Sequence, residues 1–74
     1  MNWDTNELDN WIINDEGLYN IALNLYDRSN GEVTAQEAED ELLHVVLTDD
    51  RMNDIDYSEI DWYEIAESIN NIHS

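Results

Sequence analysis

Acidity is the hardest constraint on this chain. Nineteen of its 74 residues are Asp or Glu, against two Arg and no Lys, for a formal net charge of −17. Repulsion of that size works against any compact state and contributes nothing to the choice of fold. A chain that folds under it must bury an apolar core and keep its carboxylates outside. The composition allows this: 42% of the residues are hydrophobic, with three Trp and four Tyr, which is too rich for an acidic disordered chain. One domain over residues 1–74 is expected, with a core near the lower size limit for independent folding. A core that small invites completion by a second copy, so a homodimer is one expected state. The absence of Cys removes disulfides, thiolate chemistry and Cys-ligated zinc, and fits a reducing compartment. No basic leader with an apolar run behind it opens the chain, and no apolar run approaches the length of a membrane span.

Hydrophobic periodicity predicts an all-α fold, a small compact bundle of about four helices. Leu8, Trp11 and Ile12 share one stripe of a first helix from about Asp4 or Thr5 to Ile13. Asp15 is placed to cap a second helix, from Glu16 to Asp27 or Arg28, whose inner face is Leu18, Ile21, Ala22, Leu25 and Tyr26. Ser29-Asn30-Gly31 ends it, with Asn30 or Gly31 suited to the left-handed conformation. Thr34-Ala35-Gln36-Glu37 is a capping box opening a third helix to about Leu47, although Val45-Val46-Leu47 also suits a short strand. Ala35, Ala38, Leu42, Val45 and Val46 face inward there. Residues 48–56 read as a loop. A fourth helix, capped by Asp56 or Ser58 and reaching about Ile72, buries Trp62, Ile65, Ala66, Ile69 and Ile72. Its opposite side carries Glu59, Ile60, Tyr63, Glu64 and Glu67. The inferred loops are short, which favours antiparallel neighbours.

Three patterns suggest chemistry. The first is the charge array. Carboxylates three or four residues apart on a helix form a row with a 5.4 Å repeat, and Glu37, Asp40 and Glu41 form one such row. Asp61, Glu64 and Glu67 form another. With Asp49, Asp50, Asp54, Asp56 and Glu59, the stretch from residue 37 to 67 holds twelve of the 19 acids, so the second half is the expected partner-binding face. Duplex DNA carries one charge per ~1.7 Å of axis, so 17 net charges correspond to about 29 Å of duplex. Solubility alone is the plainer explanation of the same charges. The second pattern is Tyr63 and Ile60 among those acids, either an aromatic anchor for a partner or packing under the preceding loop and along a neighbouring helix. Trp3, Trp11 and Trp62 read as core, with Trp3 also suited to a staple or a dimer contact.

The third group of patterns fails. Asn30 to Glu37 matches the back half of a calcium loop, but Tyr26 and Arg28 stand where the front half needs carboxylates. Glu41 and His44 have the Glu-x-x-His spacing of di-iron helices, but only one copy exists, on the wet face. Neither His44 nor His73 has a nucleophile beside it. A non-enzymatic protein with no cofactor and no metal is expected. Nucleic acid and anionic membranes would both be repelled, so neither is an expected ligand.

Two stretches carry a resemblance: Trp11-Ile12-Ile13-Asn14-Asp15-Glu16-Gly17-Leu18-Tyr19-Asn20-Ile21-Ala22 and Ile60-Asp61-Trp62-Tyr63-Glu64-Ile65-Ala66-Glu67. Together they cover 20 of the 74 residues. They resemble the opening and closing motifs of a family of small acidic proteins encoded by bacteriophages and plasmids. The family supplies no catalytic residues. The resemblance implies a mobile-element origin and, with it, a counter-defence role in the cytoplasm of an infected bacterial host. The partner expected on those terms is the basic nucleic-acid-binding surface of a host defence complex, a CRISPR effector or a restriction enzyme, met by a DNA or RNA mimic. Another basic host or phage protein, bound without mimicry, is the alternative.

Overall fold

Short-range capping divides the chain into its elements. In a computed structural model that describes residues 1–72, four α-helices are joined by tight connections: α1 (Trp3–Asn14), α2 (Glu16–Arg28), α3 (Ala35–Thr48) and α4 (Trp62–Asn70). No strand occurs among the described residues, so Val45-Val46-Leu47 continues α3. Each helix start is satisfied by a side chain. Asn2 accepts from the Thr5 N–H, Asp15 from Leu18, and Asp61 from Tyr63 and Glu64. At α3, Thr34 and Glu37 close both bonds of the capping box. Between α2 and α3 the chain turns through Asn30 and Gly31, at φ 53° and 79°. The Tyr26 ring covers Gly31 so closely that a Cβ there would lie 3.2 Å from its hydroxyl, so glycine is needed for space as well as for conformation.

Two helix starts differ from the sequence reading, and α4 ends at Asn70, short of Ile72. The first helix begins at Trp3, because Asn2 caps it. The fourth helix does not begin at Asp56 or Ser58. Asp56 caps only a 3-10 turn, Tyr57–Glu59, after which Ile60 is extended and α4 starts afresh from Asp61. Ile60 is the reason: it is 7% exposed, and turning it into the core takes the backbone out of register with a continuous helix. The expected loop at 48–56 likewise contains a 3-10 turn, Asp50–Met52. It delivers Met52 and Ile55 to the core.

The core joins one face of every helix. Leu8 and Ile12 come from α1, Leu18, Ala22 and Leu25 from α2, Ala38, Leu42 and Val46 from α3, and Ile65, Ala66 and Ile69 from α4. Val33, Met52, Ile55 and Ile60 enter from the connections. Trp11, Trp62, Ile21, Tyr26, Val45 and Ile72 pack around its edge. Trp3 does not join them; it is 56% exposed on the first turn of α1.

Polar contacts lock α1 to the α4 segment. Asn2 donates to the Glu59 carbonyl, the Asp61 N–H donates to Thr5 Oγ1 at 2.8 Å, and Ser68 donates to Asp9. At the far end Asn70 bonds both backbone groups of Val33, fixing the entry to α3 against the exit of α4.

Candidate partner-binding surface

The surface chemistry is decided by where two cations go. Arg28 pairs with Glu41 at 2.8 Å. Arg51 holds Asp49 through Nε and Nη2, reaches Asp15 through Nη1 at 3.0 Å, and lies 4.8 Å from the centroid of the Trp11 ring. Both guanidinium groups are therefore spent on the protein's own carboxylates, and no Lys exists to replace them.

This pairing divides the twelve expected site residues. Glu37 is engaged by Ser29 and by the capping bonds of Thr34. Asp40 accepts from Gln36, and Glu41 from Arg28. The first acidic row thus lies beside Arg28 and is partly neutralised. Asp49 is bound by Arg51. Asp56 and Asp61 are caps, each turning a carboxylate oxygen toward backbone N–H groups. Asp50, Asp54, Glu59 and Glu67 have no side-chain partner among the described residues and are exposed. The stretch from Asp50 to Glu67 is consequently the more open negative surface. Tyr63 stands within it, 80% exposed, whereas Ile60 is core.

Several of these carboxylates are held in the ionised form. Donated hydrogen bonds lower the pKa of Asp15 (from the Leu18 N–H, then Arg51), Glu37 (from Ser29, then Thr34), Asp49 (from Arg51) and Asp56 (from Ser58). The same bonds from Asp49 and Asp15 raise Arg51 further above its already high value. None of these side chains loses its charge near neutrality. Capping therefore fixes the orientation of the charges without reducing their number.

A groove at the junction of α1, α2 and α4 was not evident from the sequence. Ile13, Tyr19 and Ile72 supply apolar lining, and Glu64 and Glu67 supply acidic lining. The available signal was Ile13, which lies off the Leu8–Trp11–Ile12 stripe and is 55% exposed. No group of three or more His, Asp or Glu among the described residues is arranged to hold a metal ion. Glu37, the last position of the failed calcium loop, is committed to its capping box. No helix among the described residues is long and apolar enough to cross a membrane. No family model, curated protein or solved structure matches the chain.

Proposed function

We propose that the chain is a nucleic-acid mimic that blocks the DNA- or RNA-binding surface of a bacterial defence complex, a CRISPR effector or a restriction enzyme. It acts by occupancy rather than catalysis, in the cytoplasm where such complexes work. One observation carries the reading. The Cα trace spans 31 × 22 × 20 Å, and duplex DNA of that length carries about 18 phosphate charges at one per ~1.7 Å. The protein presents a net 17 over the same distance, with both arginines paired internally. A channel built to neutralise a phosphate backbone meets a similar linear charge here, fixed on helices and caps.

Opposite charge speeds encounter and makes the complex sensitive to salt. Immobilised full-length chain should capture partners from bacterial lysate that elute with excess duplex DNA or guide RNA. A partner that stays bound in excess nucleic acid, or that holds its nucleic acid in the same complex, overturns mimicry. That outcome favours the second reading, an acidic module for some other basic protein. The exposed Tyr63, 80% accessible, has no counterpart on a phosphate backbone and is what favours the alternative.

A further inference from the structure

The groove between α1, α2 and α4 combines two properties that few ligands satisfy together. Ile13, Tyr19 and Ile72 give it apolar lining, while Glu64 and Glu67, one turn apart on α4, give it two carboxylates in an opening of about 760 Å³. One oxygen of Glu64, Oε2, is shielded from solvent and accepts no hydrogen bond. Its nearest cation is the Met1 ammonium at 3.9 Å, beyond hydrogen-bonding distance. Met1 lines the groove too and holds Oε2 as an ion pair, but the Glu64 side chain is still 36% exposed, so its remaining surface and the exposed Glu67 carboxylate are what the groove offers a donor.

We propose that this groove receives an arginine side chain of a basic protein partner. Its methylene stem lies along Ile13, Tyr19 and Ile72, and its guanidinium bonds Glu64 and Glu67. Charge complementarity chooses this occupant. A second copy brings another 17 negative charges. A neutral apolar segment would cover Glu64 and Glu67 without pairing them. Lysine offers a point charge where a planar fork serves two carboxylates at once. The proposal rests on the chain being a ligand for a basic protein surface, and it holds whether or not that surface also binds nucleic acid.

The test uses the full chain and a capped nona-arginine peptide at low salt, followed by ¹⁵N chemical shifts and calorimetry. Shifts should concentrate at Ile13, Tyr19, Glu64, Glu67 and Ile72. The double change Glu64→Gln with Glu67→Gln should weaken binding about tenfold, as loss of paired charge contacts does. Asp27→Asn with Glu39→Gln removes the same charge elsewhere and should weaken it about twofold through the overall field alone. Ile13→Ser alters no charge at an already exposed site, so it keeps the fold, and it should also weaken binding. Nona-lysine should bind more weakly than nona-arginine. The proposal is overturned if shifts spread evenly over the chain, if the two double variants behave alike, or if the peptide does not bind. It is also overturned if the groove shifts depend on the chain's own concentration, which would make a second copy the occupant. Failure of nucleic acid to displace a captured partner leaves these outcomes untouched and counts against mimicry alone.

Discussion

Arg51 is asked to do more than any other side chain. It holds Asp49, reaches Asp15 36 positions away in sequence, and covers a face of Trp11. An isolated surface pair contributes little, whereas a forked contact with two carboxylates and a ring is better placed to persist. Arg51→Ala should therefore lower the melting temperature more than Arg28→Ala, whose wild-type side chain pairs with Glu41, and Arg51→Lys should recover only part of the loss. Equal effects of the two alanine changes would reduce Arg51 to an ordinary pair. The difference is tied to pH. Asp15 and Asp49 have folded pKa values below the ordinary 3.8. Their stabilisation is therefore complete above that value and lost as pH falls through the lower folded values. Melts of wild type and Arg51→Ala should converge as pH falls below the ordinary carboxylate range. Thr5 is the buried counterpart, with no exposure and its hydroxyl oxygen accepting the N–H of Asp61. Thr5→Val keeps the shape but strands that donor, at a cost of about 1–3 kcal/mol. Thr5→Ser retains the acceptor and should lose less in denaturant titration.

Among the helices, those with an unambiguous cap and stop were readable from sequence, and the one with rival caps was not. Asp15 opens α2, the Thr34–Glu37 box opens α3, and Asn30-Gly31 separates them in the left-handed region. Each is a signal contained within a few residues. Residues 56–62 offer Asp56, Ser58 and Asp61 as caps, and local chemistry does not rank them. Burial of Ile60 decides for Asp61, whose own N–H is held by the distant Thr5. The surface divides the same way. The number of acids and the row of Glu37, Asp40 and Glu41 on α3 were legible, but Asp61 leaving its expected row to cap α4, Arg51 meeting Asp15 and Ile13 facing Glu64 across a groove are products of the tertiary fold. Asp61 also separates cap from charge experimentally. Asp61→Asn keeps an oxygen for the Tyr63 and Glu64 N–H groups and should hold stability near wild type, while Asp61→Ala should cost about 1 kcal/mol. If mimicry holds, both should weaken partner binding alike, because both delete the same negative charge. A binding defect confined to Asp61→Ala would trace to the start of α4 instead.

The whole molecule has absorbed its charge without swelling. Its radius of gyration is 11.0 Å, against about 11 Å for an ordinary domain of this length. The core thus prevails over repulsion among 19 acids, but the repulsion remains as a standing cost that salt can reveal. At 0.01 M ionic strength the screening length is about 30 Å, close to the 31 Å long axis, so each carboxylate is felt across the molecule. At 1 M it is about 3 Å, and only immediate neighbours interact. Attractive pairs are few, with two arginines engaged, and repulsive ones are many. Sodium chloride should therefore raise the melting temperature across that range. Relief of even about 1 kcal/mol corresponds to about 4–8 °C for a domain this small. The same titration should weaken capture of a basic partner, so fold stability and affinity should move in opposite directions along one salt axis. That opposition separates charge retained for binding from charge retained for solubility, because solubility alone requires only the rise in stability. A melting temperature that falls with salt would mean that the Arg51 and Arg28 pairs outweigh the field of all the other acids. An affinity indifferent to salt would mean that the partner reads the apolar groove and Tyr63 rather than the acidic surface around them.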